Sequence, residues 1–205
     1  MNRKQIFAIF SPILVLFTMY PIFHFLSILF HDNWRIGWLI GLMIYWLLWG
    51  FGYSILAIGK KNIRKLLHPQ KLNIRLVLFI LFPIFLSIIF KLIPAGITYD
   101  KPDKFILLLL IFSVFGNGLF EEIYWRGVYM KLFEKNLLFR IIWPSIWFGI
   151  WHYVPGSLNP DSSHVIGLMI GAVFLGIYSS FIAWRTNTLW WSIIIHVTGG
   201  MIVVI

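Results

Sequence analysis

The 205-residue chain has no cysteine, which excludes disulfides, cysteine-ligated metals and cysteine nucleophiles. Acid is scarce too: seven Asp and Glu stand against 17 Lys and Arg. Charged residues make up 12% in all, about half the share of an ordinary soluble domain. The chain lacks any RNA- or DNA-reading motif, so its net charge of +10 is not taken as a nucleic-acid footprint. Internal repeats, low-complexity segments and linkers long enough to separate an independent domain are absent as well.

What fills the chain instead is apolar. Hydrophobic residues make up 60% and gather in runs of the length a membrane-crossing helix needs. The expected fold is all-α, a polytopic transmembrane bundle of about seven spans. The spans fall near 6–31, 37–59, 74–97, 104–133, 137–154, 164–183 and 188–205. Met1-Asn2-Arg3-Lys4 and the apolar run after it are read as a retained first span, because no small-residue cleavage site follows. The fourth segment exceeds a membrane thickness, so its half after Glu121 is expected to emerge at the cytoplasmic surface. Gly116 and Gly118 could bend it, and Pro83 and Pro144 could kink spans three and five. Residues 1–103 are expected to form three N-terminal spans and 104–205 a four-span core.

The basic residues give an orientation. Arg3 and Lys4 precede span one, and Lys60, Lys61, Arg64, Lys65, Lys71 and Arg75 lie between two and three. Arg126, Lys131, Lys135 and Arg140 lie around the turn from four to five, and Arg185 between six and seven. Thirteen of the 17 therefore share one side; Arg35, Lys91, Lys101 and Lys104 take the other. The N-terminus is expected in the cytoplasm, and the charge bias fits a bacterial plasma membrane. Trp143, Trp147 and Trp151 recur at helical spacing and are expected to pack against lipid or neighbouring helices.

Ionisable groups in a bilayer cost ~2.5–3.5 kcal/mol each, so they mark candidate functional sites. The first cluster is Glu121-Glu122-Ile123-Tyr124-Trp125-Arg126-Gly127. Glu122 and Arg126, four apart, can pair on one helix face. Glu121 is rotated by ~100°, leaving one carboxylate held by arginine and the other pointing elsewhere. That is the division expected of a structural carboxylate and a general base. His152 in span five and His196 in span seven would each, alone, read as packing residues. Depth changes that reading. At ~1.5 Å per residue, Glu121 lies ~15–21 Å from Lys131 and Lys135, His152 ~18 Å from Arg140, and His196 ~16 Å from Arg185. A carboxylate and two histidines at one depth could hold and activate a water. The same three could hold zinc.

The pattern Glu121-Glu122-x-x-x-Arg126, then Phe148-x-x-x-His152, then a distal His196 resembles the CPBP intramembrane proteases. This family, also called Abi, groups C-a-a-X prenyl proteases with bacteriocin-processing proteins. The resemblance covers about residues 104–200 and includes Gly127 and the run Arg185-Thr186-Asn187-Thr188-Leu189-Trp190. It implies an endopeptidase acting on membrane-associated peptides or proteins. Glu121 would be the base that activates water. Glu122, Arg126 and Phe148 would support the site, and His152 and His196 would hold the water or stabilise the oxyanion. A metal-free glutamate mechanism is favoured, with zinc on Glu121, His152 and His196 as the other option. The third family motif usually ends in Asn or Asp four residues after the histidine; here Gly200 stands there. Asn117, one turn before Glu121, could compensate, and Thr198 is a weaker candidate.

Other membrane proteases fit less well. There is no His-Glu-x-x-His of the zinc site-2 type, no Gly-x-Ser-x-Gly of a rhomboid-like enzyme and no Gly-x-Gly-Asp of a presenilin-like one. The main alternative is a degenerate, non-catalytic member acting as an immunity or peptide-binding protein. A transporter is disfavoured by the lack of repeats. Substrate identity and oligomeric state are beyond the sequence.

Overall fold

The computed structural model of the protein describes residues 1–92, 104–158 and 165–204, without the side chains of 83–84, 86–92 and 202–204. Helix α1 (Arg3–Leu29) begins in a capping box: the Gln5 N–H donates to Asn2 Oδ1 and the Asn2 N–H to Gln5 Oε1, both at 2.9 Å. This satisfies two of the amide groups that a helix start leaves without partners. Helix α2 (His31–Ile58) contains a wide π-helical stretch, Trp46–Tyr53. It stops at Gly59, whose φ of +80° suits glycine. Lys4 Nζ donates to the Ala57 carbonyl at 3.0 Å, placing a cation at the negative end of α2.

A short helix α3 (Lys60–Leu66) leads to α4 (Ile74–Leu92). Helix α5 (Lys104–Leu132) follows, then a π turn Leu138–Ile142 that feeds α6 (Trp143–Trp151) and α7 (Tyr153–Gly156). The chain closes with α8 (Val165–Thr186) and α9 (Trp190–Val204). Helical segments thus stand near each of the seven predicted places, and no strand occurs among the described residues. Among those residues four helices are long and apolar enough to cross a membrane: α1, α2, α5 and α8. Outward faces carry bare apolar side chains, such as Phe17 at 75% exposure and Phe174 at 69%. Such a surface suits lipid rather than water. Lys101, and the side chains of Pro83 and Lys91, lie outside what is described.

The two halves share one core. Ser11 Oγ and the Tyr124 hydroxyl are 2.9 Å apart, the Tyr129 hydroxyl donates to Ala8 O at 2.7 Å, and Gln5 Nε2 donates to Leu132 O at 2.7 Å. All three bonds tie α1 to the second half of α5. Every residue of that half from Glu121 to Met130 is buried within the protein. The Tyr124, Trp125 and Tyr129 side chains there find hydrogen-bond partners inside the protein.

Gly116 and Gly118, read as possible bends, lie in an α-helical stretch unbroken from Lys104 to Glu121. They allow close approach. A Cβ at Gly116 would run into the Trp46 ring, and one at Gly118 into Val197 Cγ2. A Cβ at Gly200 would come to 2.9 Å from Val114 Cγ1. Helices α5 and α9 thus interlock by two reciprocal glycine–valine contacts, the small-residue packing common between membrane helices. Pro144 sits in the first turn of α6, just after the π turn. There its missing N–H costs little. Gly118→Ala is expected to cost about 1–3 kcal/mol by overpacking. A lowered unfolding midpoint in detergent would show it; an unchanged midpoint would mean that α9 gives way freely.

Candidate active site

The site begins where α5 changes its winding. The α-helix ends at Glu121, and Glu122–Val128 forms a π-helical stretch, a feature that often accompanies functional sites. Glu121 and Glu122 are 1% and 0% exposed, and Arg126 is 1% exposed. Arg126 Nη1 lies 3.2 Å from Glu122 Oε1, so the predicted pair forms. The guanidinium also sits over the Phe148 ring, 4.2 Å from its centroid. Such stacking favours a desolvated arginine.

Helix α9 brings His196 between the two carboxylates. Its Nδ1 is 2.9 Å from Glu122 Oε1, and its Nε2 is 3.6 Å from Glu121 Oε2. The sequence reading had one carboxylate pointing elsewhere. In the structure both address the same imidazole, one on each ring nitrogen. Because an ionised Glu122 can only accept, Nδ1 carries the proton and Nε2 turns toward Glu121.

Helix α6 closes the third side. Trp151, fully buried, donates its indole N–H to Glu121 Oε1 at 2.9 Å. Its ring stacks on Tyr45 from α2 at 4.2 Å between centroids. The Tyr45 hydroxyl accepts from Trp125 Nε1 at 2.8 Å. His152, half-buried, follows at the end of α6, and its Nδ1 is 2.7 Å from the Phe148 carbonyl. That carbonyl only accepts, so Nδ1 donates and Nε2 is the free nitrogen. The Phe148 ring lies against both imidazoles, 4.6 Å from His152 and 5.9 Å from His196. The structure thus gathers Glu121, Glu122, Arg126, Phe148 and His196 closely, and His152 packs on the Phe148 ring.

Several buried atoms here make no hydrogen bond: Glu121 Oε2, Glu122 Oε2 and the three guanidinium nitrogens of Arg126. Buried polar atoms are nearly always bonded. A concentration of unmet bonding capacity on one carboxylate–arginine–histidine group is therefore a mark of a site that receives a polar guest.

Residues 103–201 match the family model described as type II CAAX prenyl endopeptidase Rce1-like. The C-terminal half of the chain belongs to the CPBP family. The family is one of proteases, and with four helices able to cross a bilayer it makes this a membrane-integral protein. No curated protein and no solved structure matches the chain.

Against the CPBP pattern, Gly200 now has a structural reason. Val114 fills the space that a side chain at 200 would take, so the usual amide or carboxylate does not fit without repacking α5 on α9. Asn117 accepts from Trp46 Nε1 through Oδ1 at 3.0 Å, which orients its amide and leaves the NH2 as donor. Among the described residues no group of three His, Asp or Glu side chains is arranged to hold an ion. Of the zinc set, Glu121 and His196 stand together at 3.6 Å, and His152, bonded through Nδ1 to Phe148 O, keeps its Nε2 free.

Trp151 was expected only to pack. It does stack, but it also bonds Glu121, unlike Trp143, whose N–H goes to Ile9 O at 3.2 Å and whose ring meets Trp147. A buried indole must place its N–H somewhere, and a carboxylate at matching depth was the available signal. Tyr45 gave none, being one aromatic among many in α2. Trp151→Phe keeps the packing and removes the donor. A bond to a charged group is worth about 1.5–3 kcal/mol, so any cleavage that relies on Glu121 should slow about ten- to hundredfold. Peptide-cleavage kinetics on the purified variant would measure it; an unchanged rate would reduce Trp151 to packing.

Proposed function

We propose that the protein is an intramembrane endopeptidase that cleaves membrane-associated peptides by attack of a water activated by Glu121. The observation that carries this reading is the buried Oε2 of Glu121, without a hydrogen bond, facing Nε2 of His196 at 3.6 Å. Two acceptors at that separation can both be reached by one water at ~2.8 Å. The water would donate one hydrogen to each and keep a lone pair for the peptide carbonyl. Glu121 then takes the proton as the C–O bond forms and passes it to the leaving amine. Glu122 and Arg126 fix the His196 tautomer, as a carboxylate does in a catalytic triad. His152, donating through Nδ1 to Phe148 O, presents an acceptor on Nε2 when neutral. That suits holding the water better than stabilising an oxyanion. The oxyanion donor falls to the Asn117 NH2, in place of the residue that Gly200 lacks.

The reading includes seven spans with the N-terminus in the cytoplasm, a bacterial plasma membrane and a substrate entering from the cytoplasmic half. Positive residues gathered at alternate turns support the orientation. The mechanism proposed is metal-free. A second reading, a non-catalytic family member that binds a peptide or serves as an immunity protein, draws on one observation: the filled space beside Gly200.

Purified protein in lipid vesicles, given a library of membrane-anchored reporter peptides, separates these readings. Cleavage by wild type, unaffected by a strong zinc chelator and lost in His196→Ala, is expected. Binding without cleavage would favour the second reading, and chelator-sensitive cleavage would overturn the metal-free one. Asn117→Ala is expected to slow the reaction about 10²–10³-fold, the usual effect of losing one oxyanion donor. An unchanged rate would remove Asn117 from the mechanism.

A further inference from the structure

An apolar groove of about 560 Å³ opens on the outer face of the bundle, lined by Phe79, Ile141, Phe174, Ile177, Phe181 and Ile195, among others. None of these belongs to the candidate active site. The volume is in the range of a small-molecule pocket, but the lining offers almost no polar surface to a water-soluble ligand. Phe174 is largely bare, so the groove is continuous with the apolar exterior.

One end of this groove is basic. The end can be fixed from the chain's own contacts. The Leu189 N–H donates to Leu66 O at 2.7 Å, and Thr188 Oγ1 donates to Leu66 O at 2.7 Å and to His68 O at 2.8 Å. Trp191 Nε1 donates to Gln70 O at 3.1 Å. The C-terminal end of α8, the start of α9 and the approach to α4 therefore meet at one end of the bundle. The rings of Phe79 on α4 and Phe181 on α8 touch, 5.7 Å between centroids. Toward the shared end, one turn beyond each, stand Arg75 and Arg185, both exposed. On the third wall Arg140 directly precedes Ile141. Arg140 Nη1 donates to the Glu134 carbonyl at 2.8 Å, and the Glu134 carboxylate lies 3.8 Å from Lys131 Nζ.

We infer that this groove holds one acyl chain of an anionic phospholipid, with Arg75, Arg140 and Arg185 binding its phosphate. An apolar trough leading to three arginines matches the two halves of such a lipid, as basic pockets between membrane helices do elsewhere. A zwitterionic lipid would fill the trough equally well but gain less at the arginines. The bound chain would pack against both α4 and α8, and so brace α9, which carries His196.

The test uses the full chain in neutral detergent with equal amounts of phosphatidylglycerol and phosphatidylcholine, counting retained lipids by native mass spectrometry. Selective retention of phosphatidylglycerol is expected. Arg75→Gln and Arg185→Gln should each lower it about fivefold, the worth of one basic residue beside an anionic lipid surface. Ile177→Trp should fill the trough and expel both lipids. Equal retention of the two lipids by wild type would overturn the inference, as would undiminished phosphatidylglycerol on Ile177→Trp. Should that variant not fold, a phosphatidylglycerol with a photoreactive tail serves on wild type. Labelling of the Phe174–Phe181 peptide supports the site, and labelling confined elsewhere overturns it.

Discussion

Glu121→Gln is expected to reduce peptide cleavage by about 10²–10⁴-fold, the usual contribution of a positioned general base. The substitution keeps the shape and retains an oxygen that can accept from Trp151, whose N–H now bonds Glu121 Oε1 at 2.9 Å. It removes the proton acceptor opposite His196. Stability should not fall, because the variant no longer buries an ionisable carboxylate that is 1% exposed. Loss of cleavage with an unchanged or higher unfolding midpoint is the predicted pair of results. Loss of both would mean that Glu121 holds the fold rather than the reaction.

Arg126→Met is expected to act in the opposite sense, mainly on stability. It leaves Glu122, fully buried, without its cation. Removing one partner of a buried pair costs about 3–5 kcal/mol. Methionine preserves much of the apolar contact with Phe148, so the loss reports the charge rather than packing. Adding Glu122→Gln to Arg126→Met should recover much of the stability, since a buried pair replaced as a unit is far less costly than one broken. Denaturant titration of the four proteins in detergent measures the cycle. Equal destabilisation by the single and double variants would show that Arg126 is held for its shape, not for Glu122.

The helices were legible because apolar runs of membrane length leave few other folds open. Glu121, Glu122, Arg126 and His196 were legible for the opposite reason: each is so costly in an apolar interior that it needs a purpose. What was hidden follows from groups that carry no such cost. Trp151 and Tyr45 belong to aromatic runs in which every member reads as packing, so only their contacts separate them. The facing of both carboxylates toward His196 was hidden by the π-helical stretch Glu122–Val128, which replaces the regular winding from which their divergence was argued. Gly200 read as a missing catalytic group; paired with Val114 it is also part of a helix interface. The burial of Glu121–Met130 within the protein was not legible from the length of that segment, because it depends on how α1 and α2 pack against it. The N-terminal half, matched to no family motif, supplies Tyr45 and Trp46 to the surroundings of the site.

The most direct test of the central claim is the set of new peptide termini in membranes containing wild type or Glu121→Gln at equal abundance. The account predicts specific termini with wild type that are absent with the variant. Identical terminal profiles, with a cellular effect persisting in both, would contradict catalysis by Glu121 and leave peptide binding as the function.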